Sequence, residues 1–254
     1  MVNTQMAIII KSPSEIGLMR QAGKIVAATL QAIVEHIRSG VVTAELDGIA
    51  VREIQSRGGI PSFKGYRGYP ASLCVSINDE LVHGIPGQRE LQEGDIVSLD
   101  VGAIFSGFHG DAAVTVGVGE ISEEAKRLLV VTEGALRAGI AAARHGARLG
   151  DVSAAIQDHV ELRGFTVVRE YVGHGIGRQM HEDPQIPNFG LPGRGLLLKE
   201  GMALALEPMV NVGGWRTKVD DDGWTVRTAD GSLCAHFEHT IAITDGEAEI
   251  LTAL

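Results

Sequence analysis

The sequence predicts an α/β protein built of two helix–helix–strand halves that face each other across one central site. Three observations predict it. Two pairs of helix-forming stretches recur in the same order, each pair followed by strand-like material. The glycines that stop those helices repeat at one offset: Gly40 and Gly146 stand 106 residues apart, as do Gly58 and Gly164. Asp100 moved by that offset falls one residue short of Glu207, so an acid recurs at a corresponding strand position. The halves share little sequence, so the repeat is one of architecture. With 254 residues and no low-complexity linker, the chain reads as one catalytic-sized domain over residues 12–254. Its halves cover about 12–118 and 119–254, after an N-terminal segment of residues 1–11.

The elements follow in order. Ser12, Pro13 and Glu15 form a helix start, with Ser12 as cap, Pro13 at the first helical position and Glu15 closing a capping box. Ile16, Met19, Val26, Leu30, Ile33 and Ile37 then recur at helical spacing up to the stop at Gly40. A second helix is expected over 43–57. Apolar stretches at 74–77 and 96–104 read as strands. The second half repeats the pattern with helices over 123–145 and 151–163, strand-like 165–168, and β material to the end.

Composition excludes several classes. The chain is 44% hydrophobic and 21% charged, enough apolar material for a core and too much for a disordered chain. Acidic residues number 32 against 22 basic, a net charge of −10, which argues against nucleic-acid binding and suits cation binding. Arg57 and Arg67 are the exceptions, a local basic patch expected near the cleft. Two cysteines, Cys74 and Cys234, are too few for a disulfide scaffold and fit a reduced, cytoplasmic protein. The apolar run at 6–10 is far short of the roughly 18 residues of a membrane span, and no signal peptide is visible.

Four segments carry chemistry. Asp100 sits inside an apolar strand, where an uncompensated carboxylate is costly. A hairpin turn centred between Phe105 and Ser106 would set Asp100 opposite Asp111, two like charges that need a cation between them. His174 lies between glycines, with His181 seven residues on. Those glycines are not a dinucleotide loop, because Met180 stands where the third glycine would be. Glu207 ends an apolar stretch before Pro208, and Glu238 enters another. Each signal alone is weak. Together, four carboxylates and one imidazole balance two divalent cations and suit Mn, Fe, Co or Zn rather than a structural zinc site. Two such ions roughly 3.5–4 Å apart can share a water, make it nucleophilic near neutral pH and polarise a carbonyl. Neither cysteine has a convincing base, so no covalent nucleophile is implied.

Beyond these signals, the chain resembles type I methionine aminopeptidases from about residue 12 to 251. The resemblance rests on Gly65-Tyr66-Arg67-Gly68-Tyr69-Pro70, Ser76-Ile77-Asn78-Asp79-Glu80-Leu81-Val82-His83-Gly84-Ile85-Pro86, Asp100, Phe108-His109-Gly110-Asp111, the stretch from Gly173 to His181, Glu207-Pro208 and Phe237-Glu238-His239-Thr240. It implies the pita-bread fold of creatinases and aminopeptidases, with pseudo-twofold halves around a central antiparallel sheet. It implies removal of the initiator methionine from nascent chains whose second residue is small. By it, Asp100 chelates one of two metal ions, Asp111 and Glu238 bridge both, and His174 and Glu207 complete the other site. Glu207 is also the implied proton shuttle, while His83 and His181 contact substrate without binding metal. The methionine pocket would be Tyr66, Tyr69, Cys74 and Trp224, flanked by Phe63 and Met180. Phe63 stands where some relatives carry cysteine, and Met180 where phenylalanine is frequent; both changes keep the wall apolar.

The resemblance further implies a short bacterial-style form, without the zinc-binding extension of eukaryotic type I enzymes or the insertion of type II enzymes. It suggests a monomer working close to the ribosome. Two rivals stand beside it. A proline-specific aminopeptidase or prolidase shares the ligand set but usually carries an extra N-terminal domain. A non-catalytic binding protein on the same scaffold would have lost ligands, and all five are here.

Overall fold

The computed structural model describes residues 8–253. Residues 1–7 of the N-terminal segment, and residue 254, lie outside the described residues. In chain order the helices are α1 (Pro13–Val34), α2 (Thr43–Ser56), α3 (Glu123–Ala142) and α4 (Leu149–Glu161). Between α2 and α3 run β1 (Ile60–Pro61), β2 (Leu73–Ile77), β3 (Glu80–Val82), β4 (Ile96–Phe105) and β5 (Phe108–Gly117). After α4 come β6 (Thr166–Val167), β7 (Gly173–Gly175), β8 (Glu182–Ile186), β9 (Ala203–Leu206) and β10 (Met209–Asn211). The chain closes with β11 (Thr217–Val219), β12 (Val226–Thr228), β13 (Cys234–His236), β14 (Glu238–Ala242) and β15 (Glu249–Ile250).

α1 starts as its sequence dictates. The Ser12 side chain accepts the Glu15 N–H while Glu15 accepts the Ser12 N–H, a complete capping box with Pro13 at N1. The helix stops at Val34 rather than at Ile37, and α3 stops at Ala142 rather than at His145. In both halves a short turn carries the chain on to Gly40 (φ 85°) and Gly146 (φ 83°). The equivalence extends to isolated bridges: Val42 pairs with Glu90, and Arg148, 106 residues on, pairs with Leu197.

The main sheet has nine strands and runs β1-β4-β5-β14-β9-β7-β8, with β2 added on β4 and β15 on β14. Every pairing in it is antiparallel. One apolar core joins α1 and α2 to β2, β4 and β5 through Val26, Ile33, Leu46, Ile54, Leu73, Leu99 and Val101. A second joins α3 and α4 to β9 and β14 through Leu128, Leu136, Val152, Ile156, Leu204, Leu206 and Ile241. Side chains alternate across a strand, so with Leu99 and Val101 under the helices, Asp100 faces the other side. By the same alternation Glu207, Glu238 and Thr240 leave the helix-covered face.

The β4–β5 hairpin corrects one expectation. Its turn is the two residues Ser106 (φ 49°) and Gly107 (φ 81°), and Phe105 pairs with Phe108. A two-residue turn with both φ positive matches the right-handed twist of the strands, and glycine takes the second position without strain. The register therefore shifts by one residue on each strand: Asp100 opposes Ala113, and Asp111 opposes Gly102. The aspartates are diagonal neighbours on one face rather than directly opposed.

Candidate metal centre and substrate cavity

Sheet register brings the acids together. Cys74, Asp100, Ala113 and Glu238 form one row across β2, β4, β5 and β14. Extending the β9–β14 register by one residue sets Glu207 beside Glu238. Two residues along, Thr240 donates its hydroxyl hydrogen to Asp111, 2.9 Å from Oδ1 and 2.8 Å from the main-chain oxygen. Ala113, between two acids in the row, leaves space that a larger side chain would fill. From β7, His174 brings Nε2 to 3.6 Å from both Asp111 Oδ2 and Glu207 Oε1. Its Nδ1 lies 2.9 Å from the Gly175 carbonyl oxygen, so Nδ1 carries the hydrogen and the Nε2 lone pair faces the carboxylates.

Among the described residues no lysine or arginine pairs with these acids. Burial, and then the Asp111 charge, push the Asp100 carboxyl well above its usual range. Burial raises Asp111 as well. Glu207 and Glu238 are pushed up first by burial and then by the neighbouring aspartates, Glu238 also by Glu207. The buried Asp100 Oδ1 has no hydrogen-bond partner. Ligand atoms of Asp111, His174 and Glu238 all lie within 4.8 Å of one another. An unpartnered carboxylate oxygen, an imidazole with its lone pair presented, and three further acids fit divalent cations with mixed oxygen and nitrogen ligation.

All thirteen residues singled out in the sequence line one cavity of about 140 Å3: Phe63, Tyr66, Tyr69, Cys74, His83, Asp100, Asp111, His174, Met180, His181, Glu207, Trp224 and Glu238. That is close to the roughly 150 Å3 of an apolar cavity that accepts a benzene-sized guest. One end is soft and apolar, where Phe63, Tyr69, Cys74 and Met180 pack as a cluster against Tyr66 and Trp224. Trp224 meets Tyr69 edge-on at 5.1 Å, and His83 meets Trp224 at 6.4 Å. At the other end His181 lies 4.2 Å from His174, ring centre to ring centre. Burial and then the neighbouring basic side chains, His174 and Arg67 first, push His181 down to about 3. Cys74 and Cys234 are buried free thiols, and burial pushes both up, which disqualifies them as nucleophiles.

The sequence reading missed two neighbours, His236 and Thr240, and expected Arg67 near the cleft. Arg67 also lines the cavity. Its expected partner in a basic patch, Arg57, instead pairs with Glu53 at 3.1 Å. His236 is buried with no hydrogen bond to either ring nitrogen, and its Nε2 lies 3.9 Å from Glu207 Oε2. Thr240 holds Asp111 as described. A signal existed for the last two, because His236, Glu238 and Thr240 fall at the two-residue spacing that puts side chains on one side.

Known proteins match this chain. Residues 17–245 match metallopeptidase family M24. The chain is 57% identical over 245 residues to methionine aminopeptidase 1 of Bacillus subtilis, covering 96% of this chain and 99% of that protein. It is 51% identical over 249 residues to methionine aminopeptidase 1 of Mycobacterium tuberculosis, covering 95% and 94%. The crystal structure of methionine aminopeptidase from Thermotoga maritima superposes with a TM-score of 0.96 at 52% identity, covering 98% and 100%. A prolidase from Pyrococcus furiosus superposes with a TM-score of 0.80 at 22% identity and shows the shared fold alone. The fold is thus the two-halved α/β pita-bread architecture around a central antiparallel sheet. No helix among the described residues is long and apolar enough to cross a membrane. With more than half its residues identical to such relatives along nearly the whole of both chains, the chain belongs to the methionine aminopeptidases of metallopeptidase family M24.

Proposed function

We propose that this protein removes the N-terminal methionine from nascent proteins and peptides whose second residue is small. One observation carries the reading: four buried or half-buried carboxylates and a presented imidazole share one cavity of about 140 Å3 with a soft aromatic wall. Asp100, Asp111, His174, Glu207 and Glu238 would hold two divalent ions of the Mn, Fe, Co or Zn class. Bound there, such ions would supply Lewis acidity and activate a water near neutral pH. The methionine side chain fits between Tyr66, Tyr69, Cys74 and Trp224, with Phe63 and Met180 alongside, a polarizable lining suited to a thioether.

The chain's own groups do the rest. Glu207, whose carboxyl is pushed up by burial, is poised to accept the proton of the attacking water and pass it to the leaving amine. His181 stays neutral and offers an N–H to the carbonyl oxygen as charge develops there. With the Tyr66 hydroxyl, 2.8 Å from His181 Nδ1, donating to that nitrogen, the N–H offered to the carbonyl would be on Nε2. His83 borders the same cavity beside Trp224 and binds near the scissile amide. The catalytic unit is the single domain of residues 12–254, drawing Asp100 and Asp111 from one half and the other three ligands from the second. It works as a monomer in the cytoplasm, near the ribosome.

The test is digestion of Met-Ala-Ser, Met-Lys-Ser and Ala-Pro-Ser by chelator-stripped protein, with and without Mn or Co, read by mass spectrometry. Metal-dependent loss of methionine from Met-Ala-Ser alone is expected. Cleavage of Ala-Pro-Ser would move the protein to the proline-specific branch, and no cleavage with any metal would favour a binding protein. Glu207→Ala should keep the fold and lose activity by about two to four orders of magnitude. Near-normal turnover in that variant would sink the role of Glu207.

A further inference from the structure

We propose that Arg67 recognises an acidic side chain at the third residue of the substrate, counted from the N-terminal methionine. The inference rests on the aminopeptidase reading and adds a specificity contact outside the methionine pocket. Among the described residues Arg67 is the only lysine or arginine lining the cavity. Other arginines are engaged: Arg178 pairs with Glu15, and Arg227 is clasped by Asp79, Glu80 and Asp220. Arg67 makes no ion pair among the described residues. Its guanidinium carbon instead lies 5.3 Å from the centre of the Tyr66 ring, a stacking contact that leaves its donors free.

The backbone at Arg67 is left-handed, φ 50° and ψ 20°, between Gly65 and Gly68. A long side chain seldom adopts that conformation, and it persists where the surrounding fold imposes it. Phe63 and Tyr69 of the same turn are buried, while Arg67 is exposed, so Arg67 marks the rim of the wall whose inner part they form.

An extended substrate supplies the rest of the argument. Alternate side chains of an extended chain point to the same side, about 7 Å apart. The first side chain, methionine, meets the 63–69 wall. The small second residue points away from it. The third therefore returns to the same wall, one repeat further out, where the exposed Arg67 lies. The rest of the approach is unfavourable to an acid, since the cavity holds four carboxylates and the chain a net charge of −10. Arg67 is the one group there that reverses the preference.

The experiment compares Met-Ala-Glu-Ser, Met-Ala-Gln-Ser and Met-Ala-Lys-Ser, all with amidated C-termini, on the Mn-loaded enzyme and its Arg67→Gln and Arg67→Lys variants. Amidation removes the terminal carboxylate, which would otherwise compete for the same guanidinium. The readout is the ratio of kcat/KM for Glu over Gln. It is expected to be about threefold in the parent, the range of a half-exposed charge pair, and to shrink as salt is raised. It should fall to one or below in Arg67→Gln and remain above one in Arg67→Lys. A parent ratio of one or less, or a ratio that survives in Arg67→Gln, overturns the assignment while the aminopeptidase reading stands. Failure to release methionine from all three peptides overturns both.

Discussion

Tyr66 and His181 are joined twice, by a 2.8 Å contact from hydroxyl to Nδ1 and by rings stacked at 5.4 Å. The hydroxyl anchors Nδ1 and the stacking holds the ring. Tyr66→Phe keeps the second and removes the first. We expect kcat to fall about fivefold, the value of one hydrogen bond of about 1 kcal/mol, with KM little changed. A larger effect on KM than on kcat would mean that Tyr66 serves the methionine pocket alone. Because His181 is held down near 3, it stays neutral across the working range. The loss should therefore be the same at about pH 6 and about pH 8. At this scale the sequence was readable where a residue broke its local rule. Asp100 stands out because an acid interrupts an apolar strand. Arg67 breaks no such rule; its charge pointed to the cleft, but only the left-handed turn and the neighbouring walls set it on the rim. His236 gave only its two-residue spacing to Glu238, since a buried histidine in an apolar stretch is ordinary core until Glu207 is found beside it.

Helix starts and strand phases were the readable features of the elements. The Ser12 capping box predicts the start of α1 to the residue, and its removal is a clean test. Ser12→Ala should cost about 1 kcal/mol in equilibrium denaturation without changing turnover. No loss would show that Pro13 and the packing of α1 suffice. Helix ends were less readable, because apolar spacing continues past Val34 through Ile37 while the backbone has already left the helix. The β4–β5 register failed for another reason. The apolar run at 96–104 and the Ser106-Gly107 pair were both visible, but which two residues turn depends on both adopting positive φ. Parity survived the error. Moving each strand by one residue keeps Asp100 and Asp111 on one face, which is why the acids still converge. Packing between elements was not readable at all. At Gly23 a Cβ would collide with the Leu251 carbonyl, so α1 docks on Leu251 only because that position has no side chain.

Across the molecule, the decisive quantity is the charge gathered at the centre. Three carboxyls, Asp100, Glu207 and Glu238, are pushed well above their usual range by burial and mutual repulsion. Raised values in the folded state mean that the ion-free protein binds more protons folded than unfolded. Its stability should fall as pH rises through those values, and a bound cation should reverse the trend. Binding must also displace protons, so affinity weakens toward acid. Titration calorimetry with Mn in buffers of different ionisation enthalpy checks this: net proton release near neutral pH is expected, and none would mean that the acids are already ionised. At about 100 times its dissociation constant the ion should add about 2.7 kcal/mol to stability. The two-halved plan was legible at this scale from the repeated glycines, but which strand joins the halves was not. That strand is β14, which lies between β5 of the first half and β9 of the second. It is also the last long strand of the chain, and its first residue is Glu238. During synthesis, then, both helix pairs and most of the sheet can emerge and collapse while the centre is still open. Stitching comes last, and one short segment completes both the sheet and the ligand set. A chain ending before residue 238 lacks Glu238 and should bind no stoichiometric ion, so capture of metal would mark the moment at which this protein is finished.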